Sequence, residues 1–495
     1  SLVFSYSSFS AENEEAGTGE EEAPVVLEEI SGERNLTGSR PWREPNFANQ
    51  EGALGWTPEA FAVPKGLESN FKFWLDIYTR YTTDQGLLHD SEYIDLVYEI
   101  LDFTHISVRT DLTDGQKHRE KTLAVKEGKK RIVALLKKLE KVKDPAELNE
   151  DEKRIWDYFQ KIEGKKKFID ATSKSRLRFQ LGQRDRIIQG IFFSGRYLED
   201  FERIFKEAGL PIELTRLPFV ESSYNVLARS KVGASGLWQI MRYTGRPYMM
   251  INDYVDKRNF PTDATKLAAK LLRINYSMLN SWPLALTGYN HGPAGVLKLT
   301  KIWKSRELAD LGQDSGKKKR LGFASRNFYP SFLAALEAES HAPKYFGNVL
   351  WSQPLNDVEI LVTRPIKWKD VLEWFNGNNQ VAQIYNPHIT SSVRKFGRPI
   401  PVKAFISVPI EKKEEALNFL QQKNDGKKRE KIEKVASDIS TVGKESLTLN
   451  SYTVGSGDSL YSIAKEYGVS LKELLKANNL EAPDKLRIGQ KIKIP

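Results

Sequence analysis

The stretch LTRLPFVESSYN, residues 214–225, decides the fold of the central part of this chain and the place of its chemistry. Its apolar residues Leu214, Leu217 and Val220 recur at every third position, which predicts one buried face of a helix. Glu221 follows directly behind that face. Burial disfavours the charged form of a carboxyl group, so a glutamate here is expected to keep its proton and to serve as a general acid. On this stretch alone, however, a solvated glutamate at a helix end is the favoured interpretation.

The composition of the whole chain excludes several kinds of chemistry. Its 495 residues include no cysteine, which excludes disulfides, thiolate catalysis and cysteine-ligated metals. The six histidines form no helical ligand pair, so neither a metal site nor a cofactor is predicted. No apolar run approaches the roughly 20 residues that cross a bilayer. The net charge of +10 suits a polyanionic partner such as cell wall, and it equally suits a solvated surface.

Changes in composition divide the chain into six predicted segments. The first opens with small and apolar residues and then turns acidic and proline-rich. This is typical of the end of a secretory signal with a cut near Ser10 or Ala11, and an ordinary N-terminal tail is the alternative. The predicted segments are a signal remnant with an irregular acidic stretch (1–65), a helical N-terminal region (66–184), a compact helical domain (185–345), a small α/β region (346–410), a charged linker (411–450) and a separate small unit (451–495).

Hydrophobic spacing predicts the elements within these segments. Helical patterns begin at Phe71, continue over Tyr93–Ile100 and recur over Lys130–Val142, where the lysines form a solvated face. Another amphipathic helix ends at Gly209, a residue suited to the position after a helix. In the α/β region, VEILVT and VKAFISV predict two short strands around a helix.

Short motifs follow one another in the central domain. They are Glu221-Ser222, then Gly236-Leu237-Trp238-Gln239-Ile240 preceded by Ser230 and Gly233-Ala234, then an Asp256-x-Arg258 segment that leads a long helix, and then Tyr289-Asn290-His291-Gly292. In this order and within about 70 residues, they resemble the catalytic domain of glycoside hydrolase family 23. The resemblance implies a lysozyme-like fold and a peptidoglycan glycan strand as the substrate.

The same resemblance implies roles for individual residues. Glu221 would protonate the oxygen between N-acetylmuramic acid and N-acetylglucosamine and would then act as a base. Trp238 is either a residue that stacks on a sugar face, like Tyr243, or a core aromatic. The implied substrate-binding residues are Ser222, Ser230, Gly236, Gln239, Tyr243, Tyr289 and Asn290.

The acidic residues around Glu221 bear on the type of reaction. Glycosidases normally use two carboxylates about 5 to 9.5 Å apart, and no aspartate or glutamate lies between Glu221 and Asp253. A lone carboxylate fits a substrate-assisted reaction, in which the muramoyl N-acetyl oxygen attacks the anomeric carbon and the sugar's own 6-hydroxyl closes a 1,6-anhydro ring. This favours a lyase over a hydrolase. A carboxylate supplied by a distant segment is the alternative.

One motif departs from the family pattern. Where one branch of the family carries Glu-Thr-x-x-Tyr-Val-Pro, this chain has ASRNFYP, residues 324–330. Ala324 stands in place of the acidic residue and Phe328 in place of the tyrosine. Tyr329 lies one residue further on, so its side chain on a helix points about 100° away. Weakened activity or an altered substrate preference is the expectation that this departure raises.

The C-terminal segment resembles a LysM domain over its full length. Its pattern predicts strand–helix–helix–strand, with Ser470 and Glu473 as a capping box for the second helix. The resemblance implies a shallow groove for glycans that contain N-acetylglucosamine, formed by the two strand–helix loops. Several polar residues of these loops are also natural helix caps. The implied glycan-binding residues are Gly457, Asp458, Ser459, Leu460, Asn478, Asn479 and Leu480.

The sequence as a whole predicts a mainly α protein with a lysozyme-like α+β catalytic domain, a helical N-terminal extension, a small α/β accessory region and a βααβ LysM module. The expected function is a lytic transglycosylase of the periplasm or cell envelope, secreted through a removed signal peptide and targeted to the wall by LysM. No nucleic-acid partner is predicted, and the oligomeric state and any association with membrane or wall complexes stay open. Two other functions also stay open, a non-catalytic peptidoglycan-binding scaffold and a hydrolytic muramidase.

Overall fold

The structure is a computed structural model that describes residues 38–48, 50–313, 316, 319–421, 451–454, 460, 463–464, 471–478, 480 and 490–493. The strands are β1 Ser39–Pro41, β2 Gln85–Asp90, β3 Val97–Asp102, β4 Leu177–Leu181, β5 Leu350–Ser352, β6 Asp357–Leu361, β7 Phe405–Pro409, β8 Ser451–Thr453 and β9 Lys491–Lys493. The helices are α1 Glu68–Thr79, α2 Thr104–Ser107, α3 Asp114–Leu139, α4 Glu150–Gln160, α5 Lys167–Ala171, α6 Arg184–Ser194, α7 Leu198–Glu207, α8 Leu217–Ser222, α9 Arg242–Gly245, α10 Pro261–Leu279, α11 Trp282–His291, α12 Pro293–Trp303, α13 Leu308–Leu311, α14 Phe323–Ser340, α15 Ala342–Phe346, α16 Trp368–Glu373, α17 Asn379–Tyr385, α18 Ser391–Phe396, α19 Lys413–Gln421 and α20 Leu471–Ala477. The signal cut predicted near Ser10 or Ala11 lies outside the described residues.

Helices make up about 52% of the structure, and the mainly α fold class predicted from the sequence is confirmed. None of the helices in the described ranges is long and apolar enough to cross a membrane. Backbone contacts divide the chain into two compact units. The first comprises Ser1–Ser230, Gly236–Gln239 and Pro261–Pro354, and the second comprises Lys231–Ser235, Ile240–Phe260 and Leu355–Pro495. The six segment boundaries given above stay a prediction.

The segment in front of α8 folds as a 3₁₀ helix, Ile212–Arg216, that passes directly into α8. Leu214 and Leu217 are fully buried and Val220 is half-buried. A 3₁₀ helix has three residues per turn, which explains why the apolar residues recur at every third position. Pro218 lies in the first turn of α8, where its missing N–H leaves no backbone group unsatisfied. The buried face is therefore confirmed, with a tighter helix over its first half.

The helix α7 leads into this segment and confirms its predicted amphipathic pattern. Its buried residues are Leu198, Phe201, Ile204 and Phe205. Gly209 follows the helix with a φ of +60°, a left-handed conformation that glycine adopts without strain.

Two helices that are far apart in sequence, α1 and α14, pack along each other in the first unit. Asn70 Nδ2 and Trp74 Nε1 of α1 both donate to Oδ1 of Asn327 in α14, at 2.9 and 3.1 Å. Because one amide oxygen accepts from two successive turns of α1, this pair of bonds fixes the position of α1 along α14. The helix that carries the altered motif is thus held by the N-terminal region.

The N-terminal region also contains a sheet that the sequence did not predict. Strands in the antiparallel order β3-β2-β4 pack with α3, α4 and α5 around a core of their own. The helix predicted over Tyr93–Ile100 is wrong, because Val97–Asp102 is a strand. Val97, Tyr98 and Ile100 are β-branched or aromatic and suit a pleated strand, and pairing with β2 outweighs a spacing that resembles a helix. The lysine-rich helix predicted in this region is confirmed as part of α3.

In the second unit, β6 and β7 pair antiparallel, as the two β-branched stretches predict. Three helices, α16 to α18, lie between these strands in the chain instead of the single predicted helix, and they share one core with the strands. The Asp-x-Arg segment of this unit is structural. Asp256 and Arg258 form a buried ion pair of 2.7 Å, and Arg258 also donates to the carbonyl oxygens of Gly233 at 2.7 Å and Ile240 at 3.1 Å.

The C-terminal module has a small core that contains Val454, Leu460, Ile463, Leu474 and Ile492. Its strands β8 and β9 pair antiparallel, so the first and last strands of the predicted module are confirmed. The predicted capping box depends on a serine that lies outside the described residues.

Candidate active site

Glu221 lies in the last turn of α8 and is only 2% exposed. Neither of its carboxylate oxygens has a hydrogen-bond partner among the described residues. Burial raises the pKa of Glu221 well above its ordinary value. The side chain therefore holds its proton at a pH where an ordinary glutamate has lost it, which is the property that a general acid requires.

A sharp turn directly behind Glu221 ends the helix. Ser223 and Tyr224 have φ values of +49° and +59°, and both lie in the left-handed region. The buried Tyr224 hydroxyl donates to the Thr215 carbonyl oxygen at 2.8 Å, which closes the turn back onto the 3₁₀ helix. Two consecutive non-glycine residues in this region cost on the order of 1 kcal/mol each, and such strain is typical of functional sites.

The second motif forms a loop that is fastened to α8. Ser222 Oγ donates to the Leu237 carbonyl oxygen at 3.0 Å. Gln239 Nε2 donates to the carbonyl oxygens of Ala228 at 3.1 Å and Gly236 at 2.9 Å. In this structure Ser222 and Gln239 therefore shape the loop beside the glutamate, and Gly236 permits its turn with a φ of +79°.

Tyr289 of the third motif also joins this loop. Its hydroxyl donates to the Trp238 carbonyl oxygen at 2.9 Å. Burial raises the pKa of Tyr289, and the nearby Glu221 carboxylate adds to the rise. The hydrogen bond to Trp238 thus fastens the third motif to the loop of the second motif.

Asn290 presents an unpaired amide group in the same unit. The side chain is 4% exposed, and its Nδ2 has no hydrogen-bond partner among the described residues. Its Oδ1 accepts a hydrogen bond of 2.9 Å from Ser325, and His291 Nδ1 lies 3.2 Å from the same serine oxygen. Because Oδ1 is held by Ser325, the amide is fixed with its NH₂ group left over for a ligand. Ser325 stands inside the altered motif, yet the sequence did not assign it a role.

The remaining predicted residues differ from one another in how far they are exposed. Ser230 is buried at 8% exposure, and Tyr243 is 63% exposed on α9 in the second unit. Trp238 is a core aromatic, because it is fully buried, stacks on Phe205 at 5.6 Å and donates to Thr265 at 2.8 Å. Of the two interpretations of Trp238, sugar stacking is therefore wrong.

The base of α8 is held by a buried ion pair. Arg216 and Glu339 are both fully buried, with 2.9 Å between Arg216 Nε and Glu339 Oε2. Breaking such a pair leaves an uncompensated buried charge, so this contact ties α8 firmly to α14. Among the described residues, no other carboxylate contributes to the raised pKa of Glu221. In the sequence, no aspartate or glutamate lies between Glu221 and Asp253.

In the C-terminal module the structure describes three of the seven implied glycan-binding residues. Asn478 Nδ2 donates to the carbonyl oxygens of Leu474 and Lys493, and its Oδ1 accepts from the Lys493 N–H. These bonds favour the capping alternative for Asn478. Leu480 packs against the module's core, and Leu460 is part of that core. The remaining four, Gly457, Asp458, Ser459 and Asn479, lie outside the described residues.

Comparisons with known proteins match two parts of the chain. Residues 202–310 match the Transglycosylase SLT domain family, and residues 452–495 match the LysM domain family. The chain contains a transglycosylase SLT domain. That domain holds Glu221, the loop behind it and the pair Tyr289 and Asn290, whereas Ser325 lies beyond its matched end.

Individual relatives of the SLT and LysM domains differ in how much of the chain they cover. The membrane-bound lytic murein transglycosylase D of Escherichia coli (strain K12) is 27% identical over 58% of this chain, which spans 61% of that protein's length. The outer membrane antigenic lipoprotein B of Haemophilus influenzae is 42% identical over 12% of this chain and 15% of its own length. A solved structure of an inactive mutant of the lytic transglycosylase Slt from Pseudomonas aeruginosa is 19% identical, covers 41% of this chain and 32% of that chain, and has a TM-score of 0.26.

Proposed function

We propose that this chain is a lytic transglycosylase that cleaves the β-1,4 bond between N-acetylmuramic acid and N-acetylglucosamine in peptidoglycan and leaves 1,6-anhydromuramoyl ends. The observation that carries the proposal is Glu221, a buried carboxyl whose pKa is raised by burial and whose oxygens have no hydrogen-bond partner among the described residues. In the sequence, no aspartate or glutamate lies between it and Asp253. The SLT domain match supports the substrate class.

A single carboxyl group can perform both proton transfers of this reaction. Protonated Glu221 donates to the glycosidic oxygen as that bond breaks, while the muramoyl N-acetyl oxygen bonds to the anomeric carbon. The resulting Glu221 carboxylate then accepts the proton of the 6-hydroxyl, whose oxygen displaces the N-acetyl oxygen and closes the anhydro ring. The unpaired Asn290 amide is suited to donate to a sugar carbonyl or hydroxyl oxygen during these steps.

The proposal includes attachment to the cell wall through the C-terminal module and a location in the periplasm or cell envelope. The LysM match and the resemblance to an envelope transglycosylase support both. Because the relatives cover only part of this chain, and this chain only part of them, the substrate preference of the whole protein belongs to the proposal as well.

Digestion of purified sacculi tests the proposal against its two alternatives. Mass spectrometry of the released fragments identifies their ends, and anhydro-muramoyl ends are the expected product. Reducing muramoyl ends would instead identify a hydrolytic muramidase. Binding to sacculi without any release would identify a non-catalytic scaffold.

A further inference from the structure

His291, the last residue of α11, shares a hydrogen-bond partner with Asn290. Ser325 Oγ, in the first turn of α14, donates to Asn290 Oδ1 at 2.9 Å and lies 3.2 Å from His291 Nδ1. Ser325 and Asn290 are each 4% exposed, and the histidine is half-buried. The three side chains thus form one short chain of hydrogen bonds between α11 and α14.

The Ser325 hydroxyl cannot fix the Asn290 amide by itself, because a hydroxyl can either donate or accept. When it donates to Oδ1, the NH₂ group of Asn290 is left for a ligand. When it accepts from a reversed amide, the carbonyl oxygen is left instead. A serine hydroxyl has one proton, so a serine that donates to Asn290 can only accept from His291. In the arrangement that the structure shows, the histidine proton therefore belongs on Nδ1.

Two further features of His291 suit this arrangement. Burial lowers the pKa of His291, so the ring is neutral at neutral pH and has one N–H donor and one acceptor nitrogen. The other edge of the ring lies against α12, where a Cβ on Gly295 would stand 2.8 Å from His291 Cδ2 and 3.1 Å from Nε2. The glycine therefore leaves the room in which the ring keeps its Nδ1 edge toward Ser325.

We infer that His291 is a positioning residue: its Nδ1–H donates to Ser325, directs the serine proton onto Asn290 Oδ1, and so makes the Asn290 amide present its NH₂ group to an acceptor oxygen of the glycan. The identity of that ligand rests on the proposed function, whereas the direction of the hydrogen bonds does not. The chain of bonds also extends beyond the matched SLT domain of residues 202–310, because Ser325 lies outside it.

The tautomer of His291 tests the inference without substrate. In the full chain labelled with ¹⁵N-histidine, proton–nitrogen correlation spectra at about pH 8, above the ordinary histidine pKa of about 6.5, identify which ring nitrogen bears the proton. The signals that disappear in His291→Asn belong to this residue. The Nδ1–H form is expected in the full chain, and a shift toward Nε2–H is expected in Ser325→Ala, which lacks the acceptor. An Nε2–H form in the full chain overturns the inference, because Ser325 would then donate to His291.

Two substitutions of His291 separate its donor from the bulk of its ring. The side-chain nitrogen of asparagine is as many bonds from Cβ as Nδ1 is, and that of glutamine is as many as Nε2. His291→Asn can therefore still donate to Ser325 from the same place, whereas His291→Gln cannot. On soluble glycan strands kcat/KM is expected to fall about five- to tenfold in His291→Gln, the equivalent of one hydrogen bond, and to stay within about twofold in His291→Asn. Equal losses in both variants, or no loss in His291→Gln, overturn the inference.

Gly295→Ala moves the ring without removing it. Alanine is favoured over glycine inside a helix, so the fold is expected to stay intact while the added Cβ displaces the ring and the Nδ1–H form is lost. His341→Gln is the matched control, at an exposed histidine of the same unit whose Nδ1 lies 3.4 Å from the Glu337 carbonyl oxygen. It is expected to leave kcat/KM unchanged, and a loss equal to that of His291→Gln overturns the inference. If the full chain releases no fragments from sacculi, the proposed function fails, while the tautomer of His291 still decides the inference.

Discussion

At the scale of single residues, the site is marked by polar groups that the fold buries without partners. Both oxygens of Glu221 and the Nδ2 of Asn290 are in this state among the described residues. A buried polar group without a hydrogen bond costs about 1–3 kcal/mol, more than most surface substitutions change. Such a cost is typical of positions whose residue serves a ligand instead of the stability of the fold.

Replacing Glu221 tests its proton transfer directly. Glu221→Gln keeps the shape of the side chain but has no proton to exchange, so release of fragments from sacculi is expected to fall at least about 100-fold. Glu213→Gln is the matched control, because Glu213 is also buried and burial raises its pKa, but its carboxylate is held by Gln50 and Trp56. That control is expected to change thermal stability and not turnover. Near-normal release by Glu221→Gln would remove Glu221 from the mechanism.

Ser325 is expected to act through Asn290. Ser325→Ala removes the donor that fixes the Asn290 amide, so kcat/KM on soluble glycan strands is expected to fall about five- to tenfold, the equivalent of one hydrogen bond. In Asn290→Ala the serine has nothing left to orient, so the double substitution is expected to be no worse than Asn290→Ala alone. Additive losses in this cycle would contradict the coupling.

Which site residues could be predicted depends on their distance from a motif. Glu221, Tyr289 and Asn290 stand within short motifs, so they were predicted. Ser325 stands inside the altered motif, but its role depends on a hydrogen bond to Asn290, 35 residues away in the chain, which no motif predicts. Only the packing of α11 against α14 brings the two side chains together.

At the scale of elements, the strand β2 carries a buried histidine that makes the fold sensitive to acid. His89 is fully buried between Phe73 of α1 and Phe323 of α14, at ring distances of 4.6 and 5.6 Å. Burial lowers the pKa of His89 to about 3, against an ordinary value of 6.5. Below pH 6.5 the unfolded chain therefore binds a proton that the folded chain excludes.

The free energy of unfolding is accordingly expected to fall as the pH falls from 6.5 toward 3, by up to about 1.4 kcal/mol per pH unit from this group. Urea unfolding of the full chain and of His89→Leu at pH 7 and pH 5 measures the effect. Between pH 7 and pH 5, the free energy of unfolding of His89→Leu is expected to fall by roughly 2 kcal/mol less than that of the full chain. His118→Gln, at an exposed histidine, serves as the control. Equal losses in the full chain and His89→Leu would contradict the assignment.

The sheet that contains β2 shows where hydrophobic spacing fails to predict the type of element. The amphipathic spacing of α3 and α7 is long and regular, so both helices were predicted. The segment 93–100 has apolar residues at helical spacing but only eight residues, and its true partner is β2. The third strand of this sheet, β4, pairs with the other edge of β2 and ends at Leu181, so no short window of the sequence contains the whole sheet.

At the scale of the whole molecule, the SLT and LysM domains are separated by residues 311–451. The LysM module has a hydrophobic core of its own, and the stretch 422–450 before it is rich in lysine and glutamate. Under the proposed function, a wall-binding module raises the effective concentration of the enzyme at the wall without changing its chemistry. Binding to the wall and turnover are therefore expected to be separable.

Removal of residues 422–495 tests this separation. The shortened chain is expected to keep the kcat of the full chain on soluble glycan strands, because Glu221, Tyr289 and Asn290 all lie in the remaining part. Its sedimentation with sacculi is expected to fall at least about tenfold, since the second binding site is lost. Glu221→Gln in the full chain is the complementary control, because it should sediment normally and release nothing. Equal sedimentation of the shortened and full chains would place wall binding outside the LysM module, and a loss of kcat on soluble strands would show that the two functions depend on each other.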